Sequence, residues 1–193
     1  MWSNGLKNGK GTYTYADESR YIGEFRDGKK CGKGVVHFDN GDKFDGLFNN
    51  DETEGKGIMM YQNGDRYEGG WRQGDKSGYG VYSFAKMDGK YDVYEGDWLN
   101  GKMEGRGTMT YSNMDRYVGE WRDGKRDGMG MYINGNGDIY DGQWEKDLKH
   151  GNGLLKMKDG ETYDGAWKNG LKNGLGEFVF RNGDRYNVSR AVT

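Results

Sequence analysis

Very few side chains in this sequence could do chemistry. It has one cysteine, Cys31, and two histidines, His37 and His150. A Ser-His-Asp or Cys-His arrangement therefore needs one of those histidines beside Cys31 or a serine. Cys31 and His150 fall at one position of an internal repeat, five repeats apart; with two strands per repeat at 4.8 Å spacing they stand about 48 Å apart. Cys31 and His37 share one predicted hairpin, but two ligands leave a metal site incomplete unless a second copy doubles them. Gly5-Leu6-Lys7-Asn8-Gly9-Lys10-Gly11-Thr12 lacks the spacing of a phosphate-binding loop, which also requires Ser or Thr directly after Lys. Asn136-Gly137-Asp138-Ile139-Tyr140-Asp141 lacks the carboxylates of a calcium loop. The expectation is no catalytic residue, no cofactor and no metal, hence no enzyme.

What the sequence has in quantity is periodicity. The pattern aromatic-x-Gly-x-aromatic starts at Tyr21, Phe44, Tyr67, Tyr94, Tyr117, Tyr140 and Tyr163, at intervals of 23 residues except for 27 between Tyr67 and Tyr94. Counting each start as position 0, position 4 holds Trp2, Phe25, Phe48, Trp71, Trp98, Trp121, Trp144 and Trp167, so all 6 tryptophans share one position. Glycines follow at positions 11 and 13 of every repeat, from Gly9 and Gly11 to Gly174 and Gly176. Eight repeats result. A ninth starts at Tyr186 but has Val188 where glycine belongs and Arg190 where tryptophan belongs. Trp2 sits in a repeat whose first residues are missing, which suggests an array cut from a longer one.

Within a repeat, apolar and polar residues alternate with period two, as in Tyr94-Glu95-Gly96-Asp97-Trp98 and Gly107-Thr108-Met109-Thr110-Tyr111. Between these runs lies Asn100-Gly101, suited to positive φ. Each repeat is predicted to be a β-hairpin, with aromatic rings of a neighbouring strand lying across the strand glycines. One hairpin is marginal alone, whereas eight in series supply each other's neighbours.

Tyr117-Val118-Gly119-Glu120-Trp121-Arg122-Asp123-Gly124, followed by Lys125-Arg126-Asp127-Gly128-Met129-Gly130, resembles the MORN repeat (membrane occupation and recognition nexus) at every signature position. The resemblance spans nearly the whole chain, 1–193, as a single array. It implies an all-β fold: an elongated, twisted array of antiparallel β-hairpins with a groove along it and no helical domain. It implies less about function, since MORN arrays accompany phosphatidylinositol-phosphate kinases, histone lysine methyltransferases and junctophilins, and also stand alone. A chain of repeats and nothing else is similar to the stand-alone cytoskeletal scaffolds of protozoan parasites, which resemble homodimers joined through terminal repeats. Departures from the pattern are Asp51 and Asp147 at the turn glycine, Asn134 at an inward aromatic, and four extra residues within 85–93, where a break in curvature or a protruding loop is expected.

Composition narrows the partners. Of 193 residues 37 are glycine, none is proline and only 33% are hydrophobic, which by itself suggests disorder; the 15% aromatic content points instead to packed rings. Basic and acidic residues number 29 and 31 and interleave, so nucleic acid is not expected as a partner. A lone cysteine and the absence of an apolar run long enough for a signal peptide or membrane span favour the cytoplasm. The reading is a non-catalytic scaffold that binds protein partners and self-associates as a homodimer, expected in the cytoplasm at a cytoskeletal structure, with the membrane periphery as the outer bound of that placement. Its candidate groove residues are Tyr82, Met109, Tyr111 and Tyr132. Its candidate dimer interface lies around Trp144 and Trp167. The alternatives are a phosphoinositide-directed membrane adaptor, or the targeting region of a larger enzyme. Candidate contacts to anionic phospholipid are Lys29, Lys30, Lys33, Lys125, Arg126, Lys146 and Lys149, with Asp27, Asp123, Asp127, Glu145 and Asp147 interspersed.

Overall fold

The computed structural model describes residues 2–188. Every element among them is a β-strand, and the chain divides into two compact bodies after Lys102. The first body begins with the half-hairpin β1 (Trp2–Ser3) and β2 (Leu6–Lys7), which pair with each other. It continues through β3 (Gly9–Thr14), β4 (Arg20–Arg26), β5 (Lys29–His37), β6 (Lys43–Asn49), β7 (Glu52–Met60), β8 (Arg66–Arg72), β9 (Asp75–Ala85) and β10 (Tyr91–Leu99). The second body contains β11 (Lys102–Thr110) from its second residue on, β12 (Arg116–Arg122), β13 (Lys125–Ile133), β14 (Ile139–Glu145), β15 (Leu148–Lys156), β16 (Thr162–Lys168), β17 (Leu171–Val179) and β18 (Arg185–Val188). From β3 to β10, and from β11 to β18, each strand is antiparallel to the one before it in sequence.

Each repeat folds around a two-residue turn with both residues at positive φ, as at Asp27–Gly28 (49° and 83°) and Asn169–Gly170 (52° and 82°). This backbone matches the right-handed twist of the flanking strands, which explains the Asn and Gly found there. Asp51 and Asp147 adopt the same conformation, at 75° and 72°, and their carboxylates accept the backbone N–H of Lys30 (2.8 Å) and Arg126 (3.0 Å) one hairpin back. A carboxylate thus offsets the conformational cost of replacing glycine there.

The glycines at positions 2 and 13 face each other across the hairpin, as Gly23↔Gly34 and Gly142↔Gly153. One ring covers both glycines: it stands on the strand of the position 2 glycine and reaches across to the position 13 glycine of the neighbouring strand, as the sequence pattern suggested for a neighbouring ring. A Cβ built on Gly153 would lie 2.6 Å from Cε2 of Tyr140, two residues before Gly142. Laid flat over this bare backbone, Tyr21, Phe44, Tyr67 and Tyr94 of the first body and Tyr117 and Tyr140 of the second are almost fully buried. The tyrosine hydroxyls donate to the carbonyl three residues on, Tyr67 to Gly70 (2.9 Å) and Tyr140 to Gln143 (2.8 Å).

The four extra residues lengthen β9 and β10, whose pairing extends to Ala85↔Tyr91. Lys86-Met87-Asp88-Gly89-Lys90 closes this longer hairpin through the bonds Lys86 N–H to Lys90 C=O (2.9 Å) and Gly89 N–H to Lys86 C=O (3.0 Å). Met87 at its tip is fully exposed.

Candidate partner-binding face

The rings at position 4 join one repeat to the next. Trp144 stands edge-on to Tyr140 of its own strand (5.3 Å between centroids) and to Tyr117 of the preceding repeat (5.4 Å). In the first body Phe48 bridges Phe44 and Tyr21, and Trp98 bridges Tyr94 and Tyr67. Such edge-to-face pairs contribute about 0.5–1.5 kcal/mol each beyond burial. The tryptophans are also hydrogen-bonded: Trp71 Nε1 donates to the Gly57 carbonyl (3.1 Å), Trp144 to Gly130 (2.9 Å) and Trp167 to Gly153 (2.9 Å). Trp144 and Trp167, the candidate dimer residues, are buried in this lattice.

A second row of side chains lies along the same face. Position 9 carries Lys7, Lys30, Lys76, Arg126, Lys149 and Lys172, each with its charge over the rings. The Lys76 ammonium is 4.6 Å from the Tyr82 centroid and 4.9 Å from Trp98, and the Arg126 guanidinium is 4.4 Å from Trp144. Burial holds the Lys76 and Lys149 ammonium groups below their ordinary pKa. Burial likewise pushes the Tyr21 and Tyr140 hydroxyls up to about 12. Sequence reasoning singled out Lys30, Arg126 and Lys149 for charge alone; their spacing of 23 residues, shared with Lys7 and Lys172, marks them as lattice members. Of the other lipid candidates Lys29, Lys33, Lys125 and Lys146 are exposed.

Above the cations, the outer row holds the candidate groove residues. In the first body Tyr82 lies between Phe84 (4.3 Å) and Tyr61 (5.9 Å), and its hydroxyl donates to Asp65 (2.8 Å). In the second, Tyr132 lies between Tyr111 (6.2 Å) and Trp144 (6.0 Å) and donates to Asp115 (2.6 Å). That hydrogen bond, joined by the Gly135 N–H, lowers the Asp115 pKa. Tyr82 and Met109 are buried, while Tyr61, Phe84, Tyr111 and Tyr132 are half-buried. Tyr82 belongs to one body, and Met109, Tyr111 and Tyr132 to the other.

The opposite face of the first body carries a shallow groove that sequence reasoning did not single out, lined by Leu47, Ile58, Tyr79 and Val81 with Lys56 and Glu68 at its sides. Period-two alternation was the available signal, since these residues occupy the positions assigned to the polar face. Cys31 and His37 lie at opposite ends of β5, six residues or roughly 20 Å apart along the strand. His150 has its Nδ1 3.2 Å from the Glu145 carboxylate. Among the described residues no three His, Cys, Asp or Glu side chains are grouped to hold a metal ion.

The family model for the MORN repeat matches eight successive segments, 1–20, 21–43, 44–66, 67–86, 94–116, 117–139, 140–162 and 163–185. The chain belongs to the MORN-repeat family. The unmatched stretch between the fourth and fifth MORN segments contains the tip of the β9–β10 hairpin. Comparison with curated proteins finds no match. Among solved structures the MORN array is similar to the SAS-4 (dCPAP) TCP domain of Drosophila melanogaster, solved in complex with a proline-rich motif of Ana2 (dSTIL), at 13% identity over 94% of this chain and 90% of that one, with a TM-score of 0.47. It is also similar to the wild-type TCP10 domain of Danio rerio CPAP, at 12% identity over 94% of this chain and 97% of that one, with a TM-score of 0.29. No helix among the described residues is long and apolar enough to cross a membrane.

Proposed function

We propose that this MORN array is a non-catalytic scaffold whose aromatic face binds protein partners. The observation that supports this reading is the outer row on each body: Tyr82 and Tyr132, each fixed by an Asp on one side and a cation on the other, with the half-buried rings of Tyr61 and Phe84 around the first and of Tyr111 beside the second. Rings held in one orientation lose little entropy on binding, and they offer apolar area together with polar edges, the chemistry of protein contact sites. The eight successive MORN repeats, a regular surface with no catalytic constellation argued for it, add to that reading, which we extend to a scaffold at a cytoskeletal structure.

The test compares proteins retained from a cell extract by the wild-type chain, by a Phe84→Ser/Tyr111→Ser variant, and by a Leu47→Ser/Ile58→Ser variant of the opposite face. Thermal melting accompanies each to confirm folding. Loss of a defined set of proteins from the first variant alone supports the aromatic face. Identical retention by all three overturns it.

A further inference from the structure

Position 17, two residues beyond Tyr82 and its counterparts, is aromatic in four successive repeats of the first body: Tyr15, Phe38, Tyr61 and Phe84. In the second body it holds Tyr111, Asn134, Met157 and Phe180, so no two successive repeats there carry a ring. Three of the first body's rings sit at the mouth of one kind of turn. The N–H groups of Tyr15, Phe38 and Tyr61 donate to the carbonyls of Ser19, Asp42 and Asp65, each at 2.9 Å. Phe84 is held by the longer hairpin, where it pairs with Asp92, and by Tyr82 at 4.3 Å. Phe38 is exposed and the other three rings are half-buried.

The interval of this row selects the conformation of a ligand. Each repeat adds two strands, so successive rings stand about 9.6 Å apart. A polyproline II helix returns a side chain to the same side every three residues, which is about 9.3 Å. Over three intervals its mismatch with the row is only about 1 Å. An α-helix needs seven residues, about 10.5 Å, and over the same distance it is out of step by roughly 3 Å. In an extended strand the third residue points away from the row, since alternate side chains face opposite sides.

The edges of the row suit the same ligand. The hydroxyls of Tyr15 and Tyr61 have no hydrogen-bond partner among the described residues, and a polyproline II backbone offers carbonyls that are unpaired within its own chain. The outer edge is anionic. Asp65 faces the rings, because it accepts the Tyr82 hydroxyl (2.8 Å). Burial, and then the charges of Asp42 and Asp65, raise the Tyr61 hydroxyl above its ordinary pKa, which places both carboxylates beside that ring. The basic residues of these connections, Arg20, Lys43 and Arg66, each precede a position 0 ring in their strand and so point to the other face, where Arg66 is paired with Glu68 (2.6 Å). Lys30 and Lys76 lie inward, over Phe48 (5.5 Å) and Trp98 (4.9 Å).

We propose that the position 17 row of the first body binds a proline-rich, basic segment of a partner protein in the polyproline II conformation. A proline at every third residue meets one ring of the row, the tyrosine hydroxyls donate to the ligand's carbonyls, and its basic side chains lie along Asp42 and Asp65. Such a segment is already extended when free, so it loses little entropy on docking. This inference rests on the reading of the aromatic face as a partner-binding surface and gives that surface its ligand class.

The test is fluorescence anisotropy of the whole chain with a labelled peptide of four Pro-Ala-Arg triplets. The controls are the same residues reordered with the prolines gathered at one end, and four Ala-Ala-Arg triplets. Wild type is expected to bind the first peptide and to bind each control at least about tenfold more weakly, as loss of interface anchors does. Phe38→Ser/Tyr61→Ser loses the same tenfold, and Leu47→Ser/Ile58→Ser on the opposite face binds like wild type. Thermal melting confirms folding; should the double variant unfold, Phe38→Ser alone, at an exposed ring, is expected to bind about threefold more weakly. No binding, equal binding of the ordered and reordered peptides, or a folded row variant that binds like wild type overturns the proposal. If the extract proteins are still lost from Phe84→Ser/Tyr111→Ser while the triplet peptide fails to bind, the ligand class is wrong and the partner-binding face stands. If the peptide binds through Leu47 and Ile58 instead, both readings fall.

Discussion

The ring of Tyr117 occupies the space a side chain on Gly130 would need: a Cβ there would lie 2.5 Å from Cε2 of the ring. The two residues stand on paired strands, and Gly119, opposite Gly130, is equally crowded. Gly130→Ala is therefore expected to lower stability by about 1–3 kcal/mol, the usual cost of overpacking a core. Gly124→Asp in the turn of the same hairpin is expected to stay within about 0.5 kcal/mol, as surface changes away from special contacts do, because Asp147 already holds the equivalent position at φ 72°. Urea unfolding of both variants checks the contrast. Equal losses would mean that the two glycines are kept for the same reason.

Thr53 is one of two exceptions in the cation row, Met103 being the other. It takes position 9 of its repeat, and its Oγ1 is buried without a hydrogen-bond partner. Thr53→Lys removes that unsatisfied hydroxyl and sets an ammonium over Phe44 and Trp71, as Lys30 lies over Tyr21 and Phe48. The sum is a gain of about 1–2 kcal/mol, part from the hydroxyl and part from the cation–ring contact. It should appear as a raised melting temperature; a lowered one would show that the socket there is too tight for the longer chain.

The repeat frame, the hairpin in each repeat and the shared position of the tryptophans were legible because period 23 and period two are both linear features of the chain. The direction of a ring was not. Tyr140 and Gly142 are two residues apart on one face whichever way the ring turns, and only the side-chain torsions of Tyr140 lay it over Gly142 and across to Gly153 of the paired strand. The same holds for Arg126 and Lys149, whose long stems let the charge turn inward over rings and leave Lys125 and Lys146 outside.

Alkaline pH should unfold the array through its tyrosines. Burial raises the hydroxyl pKa of Tyr21 and Tyr140 to about 12, and those of Tyr67, Tyr82, Tyr117 and Tyr132 further. A raised folded pKa gives stability that is complete below the unfolded value near 10 and is lost as pH climbs through the folded value. Lys76, Lys149 and Lys172 are lowered, so their contribution has the opposite sign, recovering stability as pH rises. The tyrosines are more numerous and dominate. Melting temperature is expected to hold to about pH 10 and then fall, with the share of tyrosinate absorbance that belongs to the buried rings appearing only on unfolding. The full tyrosinate absorbance of the unfolded chain developing while the chain is still folded would contradict the burial of these rings.

Membrane recruitment through the basic hairpin tips would require clustered, uncommitted positive charge. Lys30, Arg126 and Lys149 are occupied with rings, and Arg126 is also bound to Asp147 (3.2 Å). Arg122 pairs with Asp127 (3.2 Å), close to the exposed Lys125. Of the seven candidates, Lys29 and Lys33 on one body and Lys125 and Lys146 on the other keep their charge at the surface. At about 1 kcal/mol per basic residue near an anionic surface, and with the interspersed acids repelled, each body falls short of the four to eight clustered charges that anionic recognition needs. The chain is therefore expected to stay in the supernatant when phosphoinositide vesicles are pelleted at physiological ionic strength. Salt-sensitive pelleting abolished by Lys29→Glu/Lys33→Glu or by Lys125→Glu/Lys146→Glu would instead identify that body's tips as a lipid contact and favour the membrane adaptor over the protein scaffold.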